Sequence, residues 1–599
     1  MKKIIQTTLL LLALLLPSTA NAYDFEVDGI YYNFYGNTVY VTHGNMDNSY
    51  SGAVSIPNSV TYGGKTYSVS TIGDDAFRNC SSLTSVNMGN SVMNIGNYAF
   101  GNCTGLTRIS FSVYLNLIGQ GAFSGCYSLS SVNIPNSVTY IGECAFEDCS
   151  SLTSVNIPNN LTKIYDFTFY GCNSLKQITI PSSITHIGFL AFGFGGLTDL
   201  VWNARNCTTN GDMGTSSIER VTIGDEVIVL PNNFVSGSKI TSVNIPNSVK
   251  SIGREAFSGC RCLPSITLPN SLISIGDFAF YECSALASVT IPNSVFAIGS
   301  YAFYACSALT DVTIPNSVFS VGGSAFEGCT SLSSITLPNS ITEINSSVFS
   351  DCIGLKSVAL PNSLITIGSN AFSGCDGLSN IDFPNSLATI EDGAFSGCGN
   401  LTSIIIPYSV TRIGDGAFSD CGNLNVVYSR IRDISIISMG SSVFYRSPNN
   451  YSSRTLQIPF RTLDAYQADT KWSDFFGTIE EMEPVQATSI GLNVTYARMS
   501  EGSTLGLIAT ILPEDAYNKR VVWSSNNSNI ATVNDNGLVI THNIGTTDII
   551  AVLADGSGLY TRCTVTLLPD KPNGDVDGDG NVNITDVTTL IDMLLSGGN

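Results

Sequence analysis

Phenylalanine keeps time along this chain. Phe77, Phe100, Phe123, Phe146, Phe169 and Phe192 are each 23 residues apart; the register slips once, and Phe234, Phe257, Phe280, Phe303, Phe326, Phe349, Phe372, Phe395 and Phe418 resume the period. Fifteen aromatic side chains on one period commit the chain to an array of like units, since a fixed repeat length sets the architecture before any local propensity does. In one unit, Leu286 to Cys306, the apolar residues Leu286, Val289, Ile291, Val295, Ile298, Ala302, Phe303 and Cys306 are expected to point inward. The Val-x-Ile alternation reads as a short strand. Pro292-Asn293 ends it as a turn, Val295 to Ile298 makes a second extended piece, and Gly299 allows the bend toward Ala302-Phe303. Each unit is then one coil. A lone coil cannot bury its apolar edge, so coils stack around a shared core and both ends need caps.

The caps are legible as departures from the period. Residues 23–54 open with the Tyr-rich alternation Gly29-Ile30-Tyr31-Tyr32-Asn33-Phe34, expected as a hairpin cap. Residues 426–483 lose the period and are expected to close the other end, with Leu463 to Phe476 partly helical. Between Phe192 and Phe234 lie 42 residues where two periods need 46, and Trp202 to Ser217 carries Asn203, Asn206, Asn210, Gly211 and Gly214. An irregular coil or a protruding loop is expected there, either a tolerated deletion or a ligand-contacting segment.

The chain holds 17 cysteines. Thirteen of them, Cys80, Cys103, Cys126, Cys149, Cys172, Cys260, Cys283, Cys306, Cys329, Cys352, Cys375, Cys398 and Cys421, follow the repeat phenylalanine by three residues and are expected to stack as one buried column. Stacked side chains keep the coil spacing of roughly 4.8 Å, wider than the roughly 3.5–4.5 Å between the Cβ atoms of a disulfide, so the thiols are expected to be unpaired and inert. Gly195 and Gly237 fall at the same site in the coils flanking the break, which suits a small core position. Cys144, Cys207, Cys262 and Cys563 lie off the column, and their pairing is left open.

The recurring pattern L-x-x-V-x-I-P-x-S-V-x-x-I-G-x-x-A-F-x-x-C over residues 55–425 resembles the BspA-like leucine-rich repeats of secreted Bacteroidetes proteins. That resemblance implies a leucine-rich-repeat solenoid with a parallel β-sheet. It also implies a surface or secreted location and, for some members, adhesion to host proteins or other cells; it does not imply an enzyme.

An export signal is expected at residues 1–22: Met1, Lys2 and Lys3, an apolar run from Leu9 to Leu16, then Ala20-Asn21-Ala22 as the cleavage site. No apolar run reaches the roughly 20 residues of a membrane-spanning helix. The formal charge is -21, and loss of Lys2 and Lys3 makes it more negative by two, a balance that repels phosphate backbones and argues against nucleic acid as a partner. The three histidines, His43, His186 and His542, sit in the cap, a repeat turn and a later segment, with no dyad or triad apparent. A two-carboxylate glycosidase site would need a coil that departs from the repeat, and the break offers only Asp212 with Glu219 beyond. No enzymatic activity is expected.

After Glu483-Pro484 the pattern changes to short alternating strands over residues 485–568, expected as a small β-sandwich. Its run Val521-Val522-Trp523-Ser524-Ser525-Asn526, followed by Ile530-Ala531-Thr532-Val533 and Gly537-Leu538-Val539, resembles the group 2 bacterial Ig-like domain, with Trp523 expected in the core. Such modules serve as spacers or adhesive units.

Residues 573–599 carry the strongest chemical signal, a twelve-residue loop from Asp575 to Asp586. Calcium takes six to eight hard oxygens, and Asp575, Asp577, Asp579, Asn581 through its carbonyl, Asn583 and Asp586 stand at positions 1, 3, 5, 7, 9 and 12, with Gly580 at the turn. One Ca²⁺ site is expected. The last ligand is Asp, and no helix-forming segment precedes the loop across Pro569 to Gly574, so the segment resembles a dockerin. A helix is expected after it, with Val587, Leu590, Ile591, Leu594 and Leu595 on one face. The resemblance implies docking of a cohesin-type receptor through Ile584 and Thr585, although a full dockerin carries two loops and this chain has one. The functional expectation is a secreted or cell-surface protein that binds or adheres to a host or microbial surface protein or glycan through the solenoid. The alternative is a non-catalytic accessory of a dockerin-assembled polysaccharide-degrading system.

Overall fold

The computed structural model describes residues 22–45, 49–209, 211–446, 451–568, 574–577, 579 and 581–595. Nearly all of the expected signal segment, and Gly580 of the expected calcium loop, lie outside these residues. The chain forms two compact units. One runs through Val427 with Ser435–Arg454 and Asp474–Gly477, and the other takes Tyr428–Ile434, Thr455–Ser473 and the chain from Thr478 onward. The segment expected as a C-terminal cap is therefore divided between them.

The first unit is a parallel β-solenoid of about 23-residue coils. A typical coil contributes two short strands, Ser288–Thr290 and Ala297–Ile298, and each pairs in parallel with its counterpart 23 residues on, Ser288 with Asp311 and Ala297 with Ser320. The Pro-Asn-Ser-Val turn joins them: the Val295 N–H donates to the Pro292 carbonyl at 3.0 Å, and the Ser294 hydroxyl donates to Leu272 O of the preceding coil at 2.5 Å. All eight residues expected inside are at most 4% exposed. The rings stack face to face, Phe280 to Phe303 at 5.2 Å and 8°, Phe303 to Phe326 at 5.3 Å and 3°. The glycine before the ring serves close approach rather than an unusual φ. A Cβ on Gly299 would stand 2.5 Å from Asp277 N and Gly276 C of the coil beneath.

Each thiol of the column has a partner. Cys306 Sγ donates to the carbonyl of Phe280, one coil back, at 3.2 Å; eleven column cysteines in all make this bond to a phenylalanine carbonyl, and Cys260 makes it to Val235 O. Burial pushes Cys126, Cys172, Cys306 and Cys352 up to about 12, because a thiolate there would lose its hydration. The four cysteines off the column are free thiols as well: Cys207 and Cys563 buried, Cys144 half-buried, Cys262 exposed.

At the register break the structure takes the irregular-coil alternative and corrects the expected ring register. No loop protrudes among the described residues; the coils shorten. Asp199 pairs with Gln177 at a step of 22 and Arg220 with Asp199 at a step of 21, while buried Trp202 and Met213 fill the core that a ring column vacates. The ring register also does not resume at Phe234. The Val235 N–H donates to Ala256 O at 2.9 Å as the Phe257 N–H does to Ala279 O, so Val235 takes the phenylalanine position. Phe234 lies one place off, edge-on to Trp202 at 77° and to Phe257 at 86°. It follows that Ser238, not Gly237, fills the cysteine site, and its hydroxyl sits 3.3 Å from Cys260 Sγ.

The N-terminal cap, expected as a hairpin, is a three-stranded meander of Phe25–Val27, Ile30–Tyr35 and Thr38–Thr42, whose last strand pairs in parallel with Lys65–Ile72 of the first coil. A hairpin the sequence reading passed over, Ser59–Tyr62 with Lys65–Ile72, turns at Gly63-Gly64, both at positive φ. At the other end of this unit Phe444 continues the ring stack on Phe418 at 5.7 Å and 11°. Arg454, 1% exposed, donates to the carbonyls of Leu424, Phe444 and Cys421.

In the second unit, Leu463–Ala468 and Thr470–Ser473 are helical as expected, with Tyr466 against Trp472 at 5.2 Å. The Ig-like region is a sandwich built on Leu507, Ala531, Val539, Ile549, Cys563, Val565 and Leu567. Trp523 is half-buried and packs against this core instead of forming its centre.

Candidate binding groove and calcium loop

The outward residues of the first strand in each coil make the solenoid's polar face. Thr84, Asn87, Thr107, Arg108, Ser110, Ser130, Ser131, Asn133, Lys176, Gln177, Thr179, Thr310, Asp311 and Thr313 are exposed, and Ser85 is half-buried. Where these strands meet the Pro-Asn-Ser turns, a groove of 670 Å³ runs over three coils, lined by Thr290, Thr313 and Thr336 on one side and Asn293, Asn316 and Asn339 on the other. A second hollow of 620 Å³ continues at Asn247 and Asn270.

The division of labour in the turn explains this lining. Proline ends the strand and supplies a turn carbonyl, while serine ties its coil to the one before. Asparagine suits the turn backbone; Asn136 of an earlier coil also accepts the Asn159 N–H at 3.2 Å, but among the described residues the carboxamides of Asn293, Asn316 and Asn339 have no hydrogen-bond partner. The groove thus presents amides and hydroxyls repeated at the strand spacing of about 4.8 Å.

In the acidic loop, ligand oxygens of Asp575, Asp577 and Asp579 lie within 4.8 Å of one another. At such range each pair of carboxylates repels by about 1 kcal/mol in water and several-fold more where solvent is partly excluded, so the cluster favours a cation. Asp586 is not in that group. One of its oxygens accepts the N–H groups of Val576 at 2.7 Å and Asp577 at 3.2 Å, the other that of Asn583 at 2.7 Å. These donors, Asn583 first, hold its carboxyl below the ordinary carboxylate range. Asn583 Oδ1 accepts the Thr585 N–H at 2.8 Å and caps helix Ile584–Leu595. The Asn581 N–H donates to Asp579 at 2.8 Å. Ile584 is exposed on that helix, as are Val587, Leu590 and Ile591.

The repeat pattern matches the family model described as the BspA type leucine rich repeat region, in six copies over residues 70–198, 228–356 and 343–466, more than half of the chain. The chain belongs to the BspA-type leucine-rich-repeat family. The unmatched gap between 198 and 228 is where the coils shorten. Residues 486–565 match the bacterial Ig-like domain, group 2. A leucine-rich repeat protein from Bacteroides ovatus is similar in structure, with a TM-score of 0.50 and 28% identity over 77% of this chain and 100% of its own. An uncharacterized protein of Clostridium acetobutylicum is 33% identical over 121 residues, 19% of this BspA-type chain and 30% of that protein. A kappa-carrageenase of Pseudoalteromonas carrageenovora is 35% identical over 83 residues, 14% of this chain and 21% of the enzyme. The chain thus spans less than a third of either curated relative.

No described helix is long and apolar enough to cross a membrane. The histidines stay apart: His43 contacts Gly44 O, His186 contacts Thr208, and His542 contacts Thr532. At the break, Asp212 Oδ1 accepts the Gly214 N–H at 2.7 Å.

Proposed function

We propose that this is a secreted or cell-surface adhesion protein. It engages a host or microbial surface protein or glycan through the groove of unpartnered asparagine and threonine side chains, and it performs no catalysis of its own. The observation that carries the reading is that the serine hydroxyls of these turns bond back to the preceding coil while the carboxamides of Asn293, Asn316 and Asn339 have no such partner and face solvent. Many weak hydrogen bonds in series suit an extended ligand. The net charge of -21 and the family's surface members agree with an extracellular role, and the Lys2-Lys3 leader supplies the export route.

Asp575, Asp577, Asp579, Asn581, Asn583 and Asp586 hold one Ca²⁺ in this reading, and the three clustered carboxylates support it. A second reading, an accessory of a polysaccharide-degrading system docked through Ile584 and Thr585, draws on the exposed apolar face of the last helix and on the resemblance of one segment to a kappa-carrageenase.

Immobilised matrix proteins and a glycan array, probed with the full chain, test the first reading. Binding should fall sharply on combined substitution Asn293→Ala, Asn316→Ala and Asn339→Ala, and absence of binding to both ligand classes would overturn it. Calcium-dependent capture of a cohesin domain, lost with Asp575→Ala, would decide for the second.

A further inference from the structure

We infer that the outer surface of the coils at the register break carries a separate saccharide-binding site, built on Phe189 and Phe194. Where two later coils both carry aromatic residues in this layer, the rings cover one another: Phe278 stacks on Tyr301 at 4.7 Å and 5°, and Tyr281 on Tyr304 at 4.8 Å and 5°. At the break the rings cross instead. Phe167 meets Phe189 at 5.8 Å and 88°, and Tyr170 meets Phe194 at 5.3 Å and 63°, so their faces are not used up in stacking. Among the described residues the coil that follows supplies Gly211, Asp212 and Gly214 at this level, none of them large enough to cover the rings. Phe189 is left 42% exposed and Phe194 75% exposed.

Phe194 is also in the wrong backbone conformation for a phenylalanine, with φ at 48°. The same position is Asn79, Asn102, Gly125, Asp148 and Gly171 in earlier coils, residues that accept the left-handed region at little cost. A bulky apolar residue that is strained and mostly exposed gains little beyond its edge contact with Tyr170, and such outliers gather at ligand contacts.

The size of the patch selects the occupant. It spans two coils, about 10 Å at the strand spacing, far below the roughly 800 Å² per partner of a stable protein interface. One or two sugar rings fit it. Their C–H faces would lie on the exposed phenylalanine faces, and their hydroxyls would donate to the carboxylates that flank Phe189. Asp166 Oδ1 already accepts the Phe189 N–H at 2.8 Å from the coil before, and Asp212 stands on the coil after, where its carbonyl accepts the Leu190 N–H.

The test uses the full chain, an array of neutral and mucin-type oligosaccharides, and titration of whichever saccharide binds. Phe194→Gly relieves the strained φ, so it should leave the Tm unchanged or raised while weakening the saccharide about tenfold, which corresponds to ~1.4 kcal/mol. Phe189→Ser should weaken it likewise, and the triple asparagine variant of the groove should leave it unaltered, which separates this site from the groove reading. The inference is overturned if the wild-type chain binds no saccharide on the array. It also fails if both phenylalanine variants bind undiminished, if Phe194→Gly lowers the Tm, or if that variant loses a protein ligand while keeping the saccharide.

Discussion

Arg454→Met is the sharpest probe of how the solenoid ends. The guanidinium of Arg454, 1% exposed, donates to Leu424 O at 2.9 Å, to Cys421 O at 3.1 Å and to Phe444 O, three carbonyls at the end of the first unit. Hydrogen bonds from a charged donor contribute about 1.5–3 kcal/mol each, so three give ~4–9 kcal/mol. Desolvating the cation costs several kcal/mol in return, and burial accordingly lowers the pKa of the group. Methionine fills most of the volume and leaves the three carbonyls unpaired, at about 1–3 kcal/mol apiece. The expected net loss is about 3–5 kcal/mol. Because each coil contacts only its neighbours, the loss should stay local, and a single melting temperature would blur it. Hydrogen exchange read by mass spectrometry should show amides of residues 394–444 losing protection by two to three orders of magnitude, with residues 70–190 unchanged. Equal protection in both regions would refute the idea that this arginine plugs the core.

Four further outcomes follow from the geometry. In native protein a thiol reagent should modify Cys262 at once and Cys144 slowly, since burial, then Glu147, pushes the latter up to about 11; all 17 should react only in denaturant. Burial holds Cys126, Cys172, Cys306 and Cys352 up at about 12 when folded against an ordinary 9.0, so the unfolded chain loses these protons first, and stability should be intact below pH 9 and decline from there toward pH 12. A flat denaturation midpoint across that window would contradict the buried column. Gly299→Ala should cost at least ~2 kcal/mol because the new methyl meets backbone at 2.5 Å, and an unchanged urea midpoint would show that the coils can part there. Asp586→Ala frees the amides of Val576, Asp577 and Asn583, so calcium affinity by terbium luminescence should fall at least about tenfold; undiminished affinity would separate the staple from the site.

What the sequence determined by itself is whatever repeats. The 23-residue period carries the inward positions, the parallel pairing and the thiol column, because a side chain repeated at fixed spacing in stacked coils has only one neighbour to meet, its own copy. The carboxylate cluster of Asp575, Asp577 and Asp579 is legible for a like reason, its members being close in sequence. The Gly63-Gly64 hairpin was open to the same reading, two glycines between alternating strands. Where the period fails, tertiary structure decides. Counting from Phe234 puts Gly237 in the cysteine site, but residues lost over several coils are absorbed a little in each, and hydrogen bonding rather than spacing places Val235 and Ser238 there. Neither the crossed rings at Phe189 and Phe194 nor the three carbonyls that converge on Arg454 could be counted out in advance. Both depend on which surfaces neighbouring coils leave uncovered, and that is a property of packing, not of period.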